Sequence, residues 1–137
     1  MSDIRNIINV DNRFGCEYDV RLFNQESANK LFPIIPDHVT VSPGKDSSTG
    51  GMWTPWCDNQ KALDAGHYIK ITFSKKKASD IVNYMFQHGS YIYFTDSSKQ
   101  FSNKQVMSGD SAKGKGDYKL EIRTTKENLP LLVLKKY

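Results

Sequence analysis

The stretch HYIKITF, residues 67–73, alternates apolar and polar side chains and decides the fold class. One face carries His67, Ile69, Ile71 and Phe73, and the other carries Tyr68, Lys70 and Thr72. Strict alternation of this kind predicts a strand with one dry face and one wet face. Strands of that type are typical of antiparallel sheets, because parallel sheets are buried on both faces and have continuous apolar runs.

The same period of two recurs along the chain, in EYDVRLF (17–23) and YKLEIRT (118–124). Weaker alternation predicts further strands at 4–10, 30–35, 38–42 and 131–136. About eight short strands without a long helix indicate an all-β protein, either an antiparallel β-sandwich or a closed barrel. The sandwich is favoured because the chain has no internal repeat and its loops are unequal. We expect residues 1–137 to form a single domain, since domains of roughly 100–150 residues are the commonest size.

The segment YMFQHGSYIYF, residues 84–94, predicts a hairpin. With His88 and Gly89 as a two-residue turn, Phe86 would face Tyr91 and Tyr84 would face Tyr93. A helix over 79–88, with Ser79 as its N-cap, is the alternative. Strand is favoured because β-branched and aromatic residues alternate with polar ones there.

Charge and composition narrow the function classes. The net charge of +4 is too small for a dedicated nucleic-acid-binding protein, although it favours anionic partners. The longest apolar run, 131–134, is far shorter than the roughly 20 residues that span a bilayer. No leader pattern is visible and Cys16 and Cys57 are too few for a disulfide framework, so we expect a cytoplasmic protein with free thiols. A trimmed leader would instead allow secretion and a Cys16–Cys57 bridge.

Two long stretches, 42–66 and 96–117, are predicted to be loops, and loops of this length are often functional. The first contains GGMWTPWCDN, residues 50–59, with both tryptophans of the chain. One interpretation is that Met52, Trp53 and Trp56 close an open end of the core. The other is that the indole rings stack on a ligand such as a sugar.

Alternating strand directions predict that the domain has two functional ends. One end would carry a ligand-binding set: Trp53, Trp56, Asp58, Asn59 and His88. The other would carry a lysine set for an anionic surface: Lys75, Lys76, Lys77, Lys113 and Lys115. Lysines in a turn are more often simply solvated, and that alternative stays open.

Metal and catalytic signatures are missing from the sequence. The three histidines are scattered, with neither a Cys-x-x-Cys nor a His-x-x-x-His pair, so no metal and no cofactor is predicted. His67 is interpreted as a core histidine with a satisfied hydrogen bond. Cys57 with His67 or His88 is a chance combination, and we expect a protein that is not an enzyme.

The resulting hypothesis is a lectin-like recognition domain that binds carbohydrate or a glycolipid headgroup through the tryptophan-bearing loop. The alternative is a small membrane-active, toxin-like protein that uses indoles and lysines at an anionic bilayer surface. A third hypothesis is a self-assembling structural or storage protein, since strand edges favour homo-oligomers. No nucleic acid is expected as a partner.

Overall fold

The structure is a computed structural model that describes residues 5–15, 17–28, 38–89, 91–109 and 116–136. Ten strands, two short α-helices and one 3₁₀ helix occur in these ranges. In chain order they are β1 (Arg5–Asn12), β2 (Asp19–Asn24), α1 (Gln25–Ala28), β3 (His38–Val41), β4 (Asp46–Trp53), α2 (Gln60–Asp64), β5 (Ile69–Ser74), β6 (Ile81–His88), β7 (Tyr91–Thr95), the 3₁₀ helix (Phe101–Asn103), β8 (Gln105–Val106), β9 (Gly116–Thr124) and β10 (Pro130–Lys136).

Two sheets pack face to face, which confirms the predicted all-β sandwich. A four-stranded sheet has the order β10-β9-β1-β4, and a six-stranded sheet has the order β3-β2-β5-β6-β7-β8. The main core lies between them, and residues from both sheets fill it, such as Ile7, Met52 and Leu120 from one and Leu22 and Ile71 from the other. Apolar burial between the inner faces is the main favourable contribution to such a core.

Most strand pairs are antiparallel, as predicted, but β1 and β9 are parallel. Ile7 pairs with Tyr118 and Val10 with Leu120, so the first strand lies in the middle of its sheet beside a strand near the end of the chain. The inner-face side chains of both strands are fully buried. A parallel pair of this kind needs a long connection, and the whole six-stranded sheet is built within it.

The deciding stretch 67–73 folds largely as predicted. Ile69, Ile71 and Phe73 are completely buried in the core. The strand begins at Ile69, however, and two side chains before it behave differently from the prediction. Tyr68 was expected on a wet face but is only 8% exposed, because a second layer of side chains covers it. His67 is half-buried outside the core, where its Nδ1 contacts the Glu26 carboxylate.

Other predicted strands are confirmed where the structure describes them. Strands β1, β3 and β10 correspond to the predictions at 4–10, 38–42 and 131–136, and residues 81–88 form a strand and not a helix. The strand predicted at 30–35 lies outside the described residues. None of the helices in the described part of the chain has the length and apolarity needed to cross a bilayer.

Neither of the two predicted long loops is a single loop. The stretch 42–66 contains β4 and α2, and 96–117 contains the 3₁₀ helix, β8 and the first residues of β9. Strand β4 has few apolar residues and its alternation is broken, so its sequence gives little signal. A register shift opposite Ile7–Asn9 and positive φ angles at Gly50 and Gly51 mark a bulge at the break. The buried Thr49 hydroxyl organises it by donating to the Ile7 carbonyl and accepting from the Met52 amide at 3.2 Å.

The predicted hairpin exists, but the predicted strand register is wrong, because the turn begins one residue later in the chain. His88 pairs with Tyr91, and Phe86 pairs with Tyr93. The two residues between the paired strands are therefore 89 and 90, and not His88 and Gly89. Gly89 has φ of 59°, which suits the first central position of such a turn.

The buried side chain of Asn12 connects the two sheets. Its Nδ2 donates to the carbonyls of Tyr18 at 2.8 Å and Val41 at 3.1 Å, and its Oδ1 accepts from the Phe14 amide at 3.2 Å. Asn12 belongs to the four-stranded sheet and Val41 to the six-stranded sheet. One amide therefore satisfies buried backbone groups on both sides of the sandwich, where an unpaired group would be costly.

Replacing Asn12 with alanine is expected to lower the free energy of unfolding by about 2–4 kcal/mol, because two buried carbonyls and one amide lose their partner. Urea denaturation followed by tryptophan fluorescence measures this change. Asn103→Ala, at an exposed position, is the control and should change stability by less than about 0.5 kcal/mol. Equal stability losses in the two variants would contradict a connecting role for Asn12.

Candidate functional site

Residues 55–57 extend the six-stranded sheet beside the end of β6. The Gln87 amide donates to the Pro55 carbonyl at 2.7 Å, and the Cys57 amide donates to the Gln87 carbonyl at 2.9 Å. Strand β5 pairs with β6 only as far as Ile69 opposite Met85, so this segment occupies the place that β5 leaves. Trp56 is thereby fixed as the parallel bridge partner of Gln87.

The chain that follows forms a lid on the outer face of the six-stranded sheet. Asn59 caps helix α2, with its Oδ1 accepting from the Ala62 amide at 2.8 Å. The helix places Leu63 in a second hydrophobic cluster with Cys57, Tyr68 and Phe86. This cluster covers part of a sheet face that an ordinary sandwich would expose to water.

Gln60 fastens this lid to the segment after β7. Its Oε1 accepts from the Phe101 amide at 2.7 Å, and its Nε2 donates to the Lys99 carbonyl at 3.0 Å. These hydrogen bonds hold the 3₁₀ helix so that the Phe101 ring stacks on the buried Phe86 ring, with centroids 5.6 Å apart. No local sequence pattern predicts this role, since the hydrogen bond joins residues 41 positions apart.

Four rings beside the lid form what we call the aromatic surface: His88, Tyr91, Tyr93 and Phe101. His88 lies 5.2 Å from Phe101 and 5.9 Å from Tyr93, and Tyr91 lies 6.3 Å from Tyr93. Tyr91 is 36% exposed, and the other three rings are partly exposed. The rings come from β6, β7 and the 3₁₀ helix, so the sheet holds them in a fixed arrangement.

Two lysines lie against aromatic rings on this face. The Lys104 ammonium is 4.1 Å from the centre of the Phe101 ring and 5.3 Å from that of Tyr93. The Lys99 ammonium is 5.4 Å from the rings of both Tyr68 and Tyr84. These are cation–π distances, which bring positive charge to the rim of an otherwise apolar platform.

Two of the five residues predicted for the ligand-binding set, Asp58 and His88, lie together at the aromatic surface. The carboxylate of Asp58 is 3.3 Å from Nδ1 of His88, and Asp58 is exposed. Trp56 is half-buried and is the bridge partner of Gln87, so its side chain lies on the face of Gln87 and not on that of His88. The structure therefore brings together a carboxylate and an imidazole at this end of β6, without the indole.

The two other predicted residues have different positions. The Asn59 side chain caps α2, so its oxygen is engaged within the protein. Trp53 ends β4 in the opposite sheet, paired with Asn6, and its carbonyl accepts from Asn24 Nδ2 at 2.8 Å. Neither indole belongs to the buried core, whereas Met52 and Cys57 beside them do.

The described members of the predicted lysine set, Lys75, Lys76 and Lys77, lie in the connection that leads into β6, where the charge is mixed. Lys75 is 3.5 Å from the Glu17 carboxylate and 4.9 Å from the Tyr18 ring centre. Lys76 and Lys77 are exposed. Lys113 and Lys115 lie outside the described residues.

Cys57 is buried and its thiol faces the Asn59 carbonyl at 3.5 Å. Burial raises the pKa of this thiol to about 11, and the neighbouring Asp58 carboxylate raises it further against the Asn59 contact. The thiol is therefore neutral at physiological pH, which is unfavourable for a nucleophile. Cys16 lies outside the described residues.

No group of three potential metal ligands occurs within the ranges that the structure describes. Comparison of the chain with protein-family models, with curated protein sequences and with solved structures found no significant match to any of them. The geometry of the aromatic surface is therefore the starting point for a functional proposal.

Gln60→Ala is expected to release the 3₁₀ helix and to lower stability by about 1–2 kcal/mol, because the Phe101 amide and the Lys99 carbonyl lose their partner. Hydrogen exchange should become faster in residues 96–104 while the protection of β1 and β9 is retained. Gln100→Ala, an exposed glutamine in the same segment, is the control. Unchanged hydrogen exchange in Gln60→Ala would contradict the role of Gln60 in holding the 3₁₀ helix.

The reaction of Cys57 with a thiol reagent is measured at pH 8 in a Cys16→Ser background. We expect it to be at least about a hundredfold slower in the folded than in the unfolded protein. The reason is that burial limits access to the thiol and the raised pKa lowers the thiolate fraction. The raised pKa also contributes stability that is complete below pH 9 and is lost as the pH rises towards 11. Comparable labelling rates in the two states would refute this description.

Proposed function

We propose that the protein is a carbohydrate-binding protein and that the aromatic surface is its binding site. The observation that carries the proposal is the exposed Tyr91 ring, which lies beside Tyr93 and His88 on a rigid sheet. Sugar rings have apolar faces of C–H groups that stack on aromatic rings, and aromatic side chains with a polar tip suit a surface that is partly wet.

Hydrogen-bonding groups surround these rings. The Asp58 carboxylate is exposed and can accept hydrogen bonds from sugar hydroxyls, and the His88 imidazole and tyrosine hydroxyls can accept or donate them. A few polar groups around an apolar platform are the usual composition of a small-ligand site. In this arrangement the aromatic rings on the sheet would stack against the sugar, and the polar groups around them would orient it.

Lys104 favours sugars that carry a negative charge. Its ammonium group lies at the aromatic surface, 4.1 Å from the centre of the Phe101 ring and 5.3 Å from that of Tyr93. A carboxylate or sulfate on a bound sugar would pair with it in a charge-assisted contact, which is stronger than a neutral hydrogen bond. Uronic-acid-containing and sulfated oligosaccharides are therefore the first ligands to test.

Tyr91→Ala is expected to weaken oligosaccharide binding by about tenfold or more without lowering the melting temperature, because an exposed ring is removed. Asp58→Asn should weaken binding while leaving the fold intact. A glycan array identifies ligands, and calorimetry with the best of them measures both variants. Leu131→Ala, at an exposed position on β10 of the other sheet, is the matched control.

Several outcomes would decide against this proposal. A glycan array without any signal would contradict it, as would full binding by the Tyr91 variant. Sedimentation with sugar-free anionic liposomes would instead favour the membrane-active alternative. Displacement of a charged glycan by an oligonucleotide of arbitrary sequence, at an equal concentration of charges, would indicate a site that binds polyanions in general. Concentration-dependent light scattering without ligand would favour self-assembly.

A further inference from the structure

The opposite end of β6 borders a cleft of about 580 Å³ that is unrelated to the aromatic surface. Strand β6 begins there and β7 ends there, and the turn between β9 and β10 forms the other wall. Phe94 lines the cleft and packs against the main core, whereas its neighbour Tyr93 packs against the second cluster, so the cleft and the aromatic surface lie on opposite faces of β7. A small ligand on one face does not contact the other.

Much of the cleft wall is apolar. The apolar lining residues are Ile81, Val82, Phe94, Leu129, Pro130 and Leu131, and polar residues line the rest. Leu129 is 53% exposed and Leu131 39%, and they are two of four large hydrophobic side chains exposed among the described residues. Two neighbouring leucines that are exposed at a concave surface indicate a binding site, where an apolar group of a partner would cover them.

The rim of the cleft is acidic, with Asp80, Asp96 and Glu127 contributed by three different segments. Hydrogen bonds from the Ser98 hydroxyl and amide hold the pKa of Asp96 below its usual value, so this carboxylate is charged. Asp80 and Glu127 make no ion pair with any residue in the described ranges. The rim is thus negative in a chain whose net charge is +4.

One polar group inside the cleft also has no partner. Asn83 lines the cleft, and its Nδ2 donates to the Thr95 carbonyl at 3.1 Å. Its Oδ1 is buried and accepts no hydrogen bond in the described part of the structure. A buried acceptor of this kind is normally satisfied, and a donor from a ligand would satisfy it.

We propose that this cleft is a second binding site and that its ligand is a peptide segment in which apolar side chains alternate with lysine or arginine. The apolar side chains would cover Leu129 and Leu131. The basic side chains would pair with the carboxylates, and charge complementarity favours a basic partner over a second copy of this positively charged chain. A ligand with a single cation would leave two of the three carboxylates unpaired.

The test uses a short labelled peptide in which leucine alternates with lysine, and fluorescence anisotropy measures its binding to the whole protein. The double variant Asp80→Asn, Glu127→Gln is expected to bind about fivefold to tenfold more weakly, as is typical for the loss of two exposed ion pairs. Leu131→Ser should weaken binding by about tenfold. Asp117→Asn, at an exposed carboxylate on β9, and Tyr91→Ala should bind as the wild type does.

Comparison peptides and competitors make the result decisive. Binding of the leucine–lysine peptide, but not of a leucine–glutamate or a serine–lysine peptide, supports the proposal. Equal binding of the serine–lysine peptide would overturn it, since charge alone would then explain the contact. Absence of binding would overturn it as well, as would displacement of the peptide by a simple alkylamine at equal concentration. Circular dichroism of each variant verifies that it is folded.

Discussion

The two hydrogen bonds between the Gln87 backbone and residues 55–57 determine which part of the outer sheet face is covered and which part is open. They bring the chain from the four-stranded sheet to the six-stranded one and start the segment that leads into α2. Through Gln60, that helix positions Phe101 over Phe86. Beyond the lid, His88, Tyr91 and Tyr93 remain accessible. The composition of the candidate site is therefore a consequence of where β5 stops and another segment replaces it.

The sheets are held together by apolar packing and by a few polar side chains at their margins. Asn12 and Asn24 each reach from one sheet to a backbone carbonyl of the other. Such bonds add little net energy when made but are costly to leave unmade, so they restrict how the sheets can be placed relative to one another. A scaffold held in this way is rigid, and a rigid scaffold favours recognition by surface groups.

Sequence alternation predicted the sandwich because period two is a direct consequence of strand geometry, as Ile69, Ile71 and Phe73 illustrate. It failed for β4, where a bulge at Gly50 and Gly51 interrupts the period, and for the hairpin register, where one turn position changes every pairing. For the candidate site, the sequence identified Asp58 and His88. It did not identify Tyr91, Tyr93, Phe101 or Gln60, because their importance depends on contacts between distant segments. The outward aromatic residues of 91–94 were the available signal, but alternation alone does not show which rings stay uncovered.

The parallel pairing of β1 with β9 has a consequence for biosynthesis. Strand β1 leaves the ribosome well before β9, so Ile7 can meet Tyr118 only after the long connection between the two strands has been made. Until then, strand β1 has β4 as a neighbour on one edge and water on the other. Contacts this distant in sequence slow folding, and an unpaired edge is a site of misassociation between nascent chains. A stalled or C-terminally shortened product would therefore lack the partner strand of its own first strand, and it is the form of this protein most prone to aggregate.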